Sequence, residues 1–239
     1  VSGVTVKHML GLKCIHDIVV NAIDYLHIDI PVALHLDHGT TQEACEAAIA
    51  AGFSSIMFDG SHLPFRENLT ITRHLVALAH SKGISVEAEL GTIAGSEDGI
   101  VNSEVIYADP EECYTLVTET QVDCLAAALG STHGLYKGKA RLGFTEMKAI
   151  AERVKVPLVL HGGTGIADED MRRAIACGTA KINVNTENMY AWCQQVKAIF
   201  AADTGHDVND PRKVITQGLQ PVREMIARRM ALFGSQQRY

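Results

Sequence analysis

Six short apolar runs, each followed by a segment of helical periodicity, restrict what this chain can become more than any other feature. The runs lie at 31–37 ("PVALHLD"), 54–59 ("SSIMFD"), 84–90 ("ISVEAEL"), 123–130 ("DCLAAALG"), 157–161 ("PLVLH") and 181–185 ("KINVN"). Helical spacing of apolar residues covers 41–51, 65–82, 110–120, 144–154, 168–177 and 187–203, with further helices predicted over 12–26 and 219–233. Gly83 stands just past one of these helices, and "ADEDMRRAIACG" opens on acidic residues and stops at Gly178, as capping and dipole preferences require. Strand then helix, repeated, predicts a parallel sheet covered by helices. The apolar share of 47% over 239 residues is enough for one large core. Since α/β barrels of roughly 200 to 250 residues are single units, residues 1–239 are read as one domain.

A closed (β/α)8 barrel needs eight such units, and six are whole. The opening "VSGVT" reads as the tail of an earlier strand. The expected fold is therefore a TIM (β/α)8 barrel lacking the first βα unit and most of strand 2 in this chain. An open doubly wound sheet is the alternative, but it would have to accept polar residues at the ends of nearly every strand.

Several function classes are disfavoured. No apolar run approaches the roughly 18 residues of a membrane span, and no targeting segment is visible. Cys14, Cys45, Cys113, Cys124, Cys177 and Cys193 form no CxxC pair, the pattern of reduced thiols in a cytoplasmic protein. A net charge of −7 without a basic run argues against nucleic acid or an anionic membrane surface as partner. It leaves room for an anionic small substrate, because a site can be locally positive.

The strand ends are polar where a core strand should be apolar. Asp37 and His38 close the first run, Asp59 the second, and Glu89 lies near the end of the third. His133 follows the fourth, His161 ends the fifth, and Asn183 and Asn185 end the sixth. In a barrel the carboxyl ends of all strands meet on the face that holds the active site. Three imidazoles there, His38, His133 and His161, match the number of protein ligands of a catalytic zinc with one open position. His35, His62, His74 and His80 are read as ordinary hydrogen-bonded histidines. "GSTHGLYKG" (130–138) and "HGGTG" (161–165) add exposed backbone amides of the kind that nest an anion. Barrels often bind phosphate in the loops after their last two strands. These glycines could equally make tight turns, but with the histidines they point to a phosphorylated substrate carrying a group for a metal to polarise. Trp192, Met189 and Val196 are read as core or subunit contact.

"ALHLDHG", "SSIMFDGSHLPFRENL", "VEAELGTIAGSEDG", "YADPEEC", "ALGSTHGLYKG", "LVLHGGTGI", "KINVNTEN" and "DPRK" resemble, in order along the whole chain, the class II metal-dependent fructose- and tagatose-bisphosphate aldolases. That family has a first βα unit and second strand without counterpart here. The resemblance implies a zinc-dependent lyase of glycolysis that reversibly cleaves fructose 1,6-bisphosphate to dihydroxyacetone phosphate and glyceraldehyde 3-phosphate through a zinc-stabilised enediolate. Tagatose 1,6-bisphosphate or another ketose phosphate is the alternative substrate, and "KINVNTEN" looks closer to the fructose enzymes. Residue by residue, His38, His133 and His161 match the zinc ligands, and Asp59 and Glu89 a second, more buried metal position. Asp37 matches the acid/base at the aldehyde hydroxyl. Glu97 matches the loop carboxylate that moves the carbon-bound proton, although Gly95 and Ser96 before it depart from the usual pattern. Gly134, Gly162, Gly163, Thr164, Asn183, Val184, Asn185 and Thr186 match the dihydroxyacetone phosphate site, with a sodium or potassium ion nearby. Arg212 matches an arginine that reaches the other phosphate from a neighbouring subunit, which implies a homodimer or homotetramer.

Three rivals are distinguishable. A Schiff-base lysine would do the same reaction, but Lys181 is expected at the beginning of its strand, the wrong end of the barrel. A metal-dependent hydrolase would have no use for a phosphate nest, and a sugar-phosphate binder no use for Asp37 with Glu97.

Overall fold

A computed structural model describes residues 1–97, 100–102, 106–134, 140–203 and 208–236. Along the chain come α1 (Gly3–His8), α2 (Leu12–Tyr25), β1 (His35–Gly39), α3 (Gln42–Ala51), β2 (Ser55–Phe58), α4 (Phe65–His80) and β3 (Ser85–Leu90). Then follow β4 (Ala94–Glu97), β5 (Ile100–Asn102), α5 (Pro110–Thr120), β6 (Cys124–Ala127), β7 (Thr132–His133) and α6 (Phe144–Val154). The remainder is β8 (Leu158–Leu160), α7 (Asp168–Ala176), β9 (Thr179–Ile182), α8 (Thr186–Ala202) and α9 (Pro211–Phe233).

Six strands pair in parallel in the order β1-β2-β3-β6-β8-β9. Each strand lies beside the one before it in this series, with helices between, so the sheet is a curled, partial (β/α)8 barrel. Side chains of a strand alternate between its two faces. Ile56, Phe58, Val86, Ala88, Leu90 and Leu125 face outward into the main core with Leu75, Leu116, Ile150 and Met171 of the helices. The inner face carries a much smaller apolar cluster, Met57, Ala126 and Val159. The rest of that face is polar, and it is where Glu87 and Glu89 of β3 lie buried.

Local signals explain the element ends. The Thr41 side chain accepts from the Ala44 amide at the start of α3, and Asp109 accepts from the Glu111 and Glu112 amides at the start of α5. Gly52 closes α3 in the left-handed conformation. At the chain start, Ser2 pairs in parallel with Asp37, and the Asp37 amide donates to the Val1 carbonyl at 2.9 Å. Val1 and Ser2 thus lie along the edge of β1, while Gly3–Thr5, read with them as the tail of a strand, already belong to α1.

Four further local expectations change. Residues 31–34 stay outside the ladder, where the Leu34 amide donates to the Ser54 hydroxyl instead of to a strand. The sixth run forms its strand at Thr179–Ile182 rather than 181–185. The last helix begins at Pro211, capped by Asp210, and runs through Pro221. "DPRK" is therefore a helix start as well, with aspartate at the cap and proline in the first turn. Finally, β4, β5 and β7 form a second small sheet in the order β5-β4-β7, carried beyond the ends of β3 and β6, which strand periodicity did not reveal. Among the described residues no helix is long and apolar enough to cross a membrane.

Leu116 of α5 is fully buried against the sheet. Leu116→Ala is expected to lower unfolding stability by about 2–5 kcal/mol in urea denaturation, the cost of lost burial plus a cavity.

Candidate active site

The site begins with an irregularity in β1. His35 and Leu36 pair with Ser55 and Ile56, but the next partner of β2, Phe58, pairs with Gly39, so the register slips between Leu36 and Gly39. His38 sits in the slip with φ +49°, outside the extended region. The departure from strand geometry brings Asp37 and His38 both to the inside. A Cβ on Gly39 would lie 2.6 Å from the Met57 carbonyl oxygen, so the chain there must be glycine to close against β2.

His38, His133 and His161 come together from β1, β7 and the end of β8. Their ring centroids are 5.1, 4.7 and 6.0 Å apart for the pairs 38–133, 38–161 and 133–161. One ring nitrogen of each lies within 4.8 Å of the others. His38 Nε2 and His161 Nδ1 are 3.0 Å apart. Two ligands of a tetrahedral zinc with bonds of about 2.0–2.1 Å stand about 3.3 Å apart, so the donor set fits that ion. A second group, His38, Asp59 and Glu89, meets the same 4.8 Å condition. Glu89 Oε2 is buried and has no hydrogen-bond partner among the described residues. A buried carboxylate oxygen without a donor is satisfied by a cation.

The electrostatics follow from that crowding. Burial alone would pull the His38 pKa down, but its hydrogen bond with Asp59 and the charges of Glu89 and Asp37 lift it to about 9. Asp59 is pushed up by burial and brought down to about 2 by His38 and Ser61, whose amide and hydroxyl both donate to it. Burial and the charges of His38 and His161 depress His133 to about 3. Burial and the neighbouring charge of Asp59 hold the Glu89 carboxyl well above its ordinary range. Asp37 is also raised by burial, yet the charges of His161, His38 and Lys181 outweigh this and hold it below its ordinary value. Asn183 Nδ2 donates to Asp37 Oδ1 at 2.9 Å.

These groups open into a cavity of about 660 Å³, lined by Asp37, His133, Gly134, Gly162, Thr164 and the run Asn183, Val184, Asn185, Thr186. Its size is within the range of small-ligand pockets, about 300–1,000 Å³. Gly162 has φ +68° and a Cβ there would strike the Thr132 carbonyl oxygen at 2.3 Å. The Gly163 amide is used internally, donating to the Asn183 carbonyl at 3.0 Å. Thr186 opens α8, so the first turn of a long helix faces the cavity with amides suited to an anion.

Two expected residues are not gathered there. Arg212 stands exposed at the start of α9, its guanidinium bound to Asp210, and does not line the cavity. Glu97 lies in β4, opposite Ile100, but its side chain is outside the described residues, as are residues 98–99 and 135–139 of the two loop motifs. Other residues were missed. His35, read as an ordinary histidine, bonds Ser55 but also lines the cavity. Lys181 was placed at the wrong end of its strand. Since β9 is Thr179–Ile182, Lys181 is near the strand's end and reaches into the cavity, where its Nζ pairs with Glu87 at 2.8 Å. Glu87 itself lies two residues before Glu89, and the shared strand face was the signal for it.

The family model for class-II fructose-bisphosphate aldolase matches residues 1–238. The chain belongs to this family. A fructose-bisphosphate aldolase of Geobacillus stearothermophilus is 50% identical over 235 residues, covering 98% of this chain and 81% of the relative. One of Staphylococcus epidermidis is 49% identical over 238 residues, covering 100% and 82%. Among solved structures, the YdjI aldolase of Escherichia coli K12 superposes with a TM-score of 0.77 at 32% identity, over 95% of this chain and 77% of that one. A protein of Coccidioides immitis assigned as a fructose-1,6-bisphosphate aldolase gives 0.81 at 30% identity, over 92% and 77%. This class II aldolase thus shares the barrel of its relatives along its length.

The aldolase's His38 owes its high pKa to a carboxylate partner. In chelator-treated protein, Asp59→Asn is expected to move the His38 titration from about 9 towards lower pH, followed by NMR of the imidazole protons; an unmoved titration would assign the effect to Glu89 and Asp37.

Proposed function

We propose that this chain is a zinc-dependent fructose-1,6-bisphosphate aldolase, reversibly forming dihydroxyacetone phosphate and glyceraldehyde 3-phosphate. The observation that carries the reading is the juxtaposition of three clustered imidazoles, one of which, His133, lines the cavity, with the Asn183-held carboxylate of Asp37 and the start of α8 in the same lining. The names of the relatives at 50% and 49% identity support the fructose over the tagatose sugar.

His38, His133 and His161 would hold a zinc ion, which would supply Lewis-acid stabilisation of the negative charge that cleavage leaves on the substrate. Asp37 takes the proton of the hydroxyl on the carbon that becomes the aldehyde, a transfer typically worth about 100- to 10,000-fold. Neighbouring charges hold Asp37 ionised, and the Asn183 amide that donates to its Oδ1 fixes its orientation. Glu97 returns a proton to the carbon left behind. The amides of Gly134, Gly162 and Thr164, with the run Asn183 to Thr186 at the head of α8, hold the phosphate of the dihydroxyacetone half, with a sodium or potassium ion nearby, while Gly163, its own amide given to the Asn183 carbonyl, closes the loop against that run. Fixing that remote phosphate orients the breaking bond. Asp59 and Glu89, with His38, offer the ion a deeper alternative position. Arg212, pointing away from its own cavity, serves the other phosphate in a neighbouring subunit, so the enzyme works as a homodimer or homotetramer. It acts as one barrel domain in the cytoplasm.

Lys181 does not favour a Schiff-base route. A nucleophilic amine must be neutral, whereas this one is ion-paired to Glu87 and donates to Asn183.

A triose-phosphate assay before chelation, after it and after zinc return tests the proposal. Cleavage should vanish and return with zinc, and be faster for fructose than for tagatose bisphosphate. Asp37→Ala should lower kcat at least about 100-fold with bound zinc unchanged by metal analysis. Chelator-resistant cleavage would sink the metal mechanism, and loss of zinc from the variant would make Asp37 a ligand instead.

A further inference from the structure

The site contains an ion pair that the proposed mechanism does not use. Glu87 of β3 is fully buried on the inner face. Its Oε1 lies 2.7 Å from His161 Nε2, and its Oε2 lies 2.8 Å from Lys181 Nζ. Lys181 in turn donates to Asn183 Oδ1 at 2.9 Å, and Asn183 donates to Asp37 Oδ1 at 2.9 Å. The chain of contacts therefore runs from one candidate zinc ligand, through Glu87 and Lys181, to the residue that moves the proton.

An imidazole that ligates a metal is neutral and carries one N–H, and an ionised carboxylate can only accept. Glu87 therefore draws the His161 hydrogen to Nε2, and the lone pair is left on Nδ1, the atom 3.0 Å from His38 Nε2. We propose that Glu87 is a positioning residue that selects Nδ1 of His161 as the zinc-binding atom, and that Lys181 ties the same carboxylate to the Asn183–Asp37 pair. The inference rests on the reading of His161 as a zinc ligand. A carboxylate behind a ligating imidazole fixes the ring and raises its basicity, and removing one typically weakens metal binding about 10- to 100-fold.

The test is zinc affinity of the intact chain, by competition with a chromophoric chelator, together with the visible spectrum of the Co2+-loaded protein. Glu87→Ala would take the carboxylate from both His161 and Lys181 and leave a void at a fully buried position, so the informative change is Glu87→Gln. An amide has one acceptor and one donor end. With its oxygen towards His161 its NH2 group opposes the Lys181 ammonium; with its NH2 group towards His161 the ring must carry hydrogen on Nδ1, facing the metal. Glu87→Gln is expected to weaken zinc binding about 10- to 100-fold and to alter the Co2+ spectrum. Adding Lys181→Gln supplies an acceptor for that NH2 group and still donates to Asn183, so the double variant should recover most of the affinity. A merely structural role for Glu87 would instead lower thermal stability in both variants without recovery of zinc. Glu87→Gln with unchanged zinc affinity and Co2+ spectrum overturns the inference, as does a double variant no tighter than the single one. His161→Ala separates the two layers of the argument. If it releases zinc while Glu87→Gln does not weaken binding, only the role of Glu87 fails; if it retains zinc at full affinity, the assignment of His161 fails and takes the inference with it.

Discussion

The inner face of β3 places Glu87 and Glu89 side by side where water is excluded, and the centre of the molecule is organised around compensating them. An isolated buried carboxylate is costly in a low-dielectric interior, and it persists only when paired, protonated or bound to a cation. Glu87 is met by His161 and Lys181, which hold it ionised against its burial. Among the described residues Glu89 Oε2 has no such donor, and the carboxyl is raised instead. Two carboxylates two residues apart on one strand are thus shifted in opposite directions, and that difference separates an anchor for a ligating histidine from a position suited to an ion.

Compensation at this scale requires the inside of a barrel. The outward faces of the same strands form a continuous apolar core with the helices, in which Ile56, Phe58 and Val86 are fully buried. Because helix packing holds the sheet from outside, the inner face can give up apolar contacts; Met57, Ala126 and Val159 are the small apolar cluster left there. The register slip in β1 then adds what regular alternation cannot, namely two successive side chains, Asp37 and His38, turned towards the same volume.

Much of this was legible along the chain because it is local. The alternation of apolar runs with helical spacing, the polar residues that end the runs, and glycines beside His133 and His161 all follow from short-range rules. Glu87 and Lys181 escaped for a different reason. Glu87 lies inside its run and Lys181 heads another, and neither shows a function until the strands are laid side by side: Glu87 pairs in register with Met57 and Cys124, while Lys181 enters from β9, two strands beyond β6. The position of Lys181 also turned on the strand's limits, since a start at 179 rather than 181 moves it from one end of the barrel to the other. The small sheet of β4, β5 and β7 was invisible because its members are two to four residues long, too short to display a period.

By itself the sequence determined the class of fold, the family and the residue types at the strand ends, because periodicity and motif are properties of neighbours along the chain. Only the tertiary structure decided which nitrogen of His161 faces His38, that Lys181 neutralises Glu87, and that Asn183 holds Asp37. Those contacts join residues far apart along the chain, 123 positions for His38 and His161 and 146 for Asp37 and Asn183. They depend on strand register and curvature, to a fraction of an ångström, and a linear pattern carries no such distances.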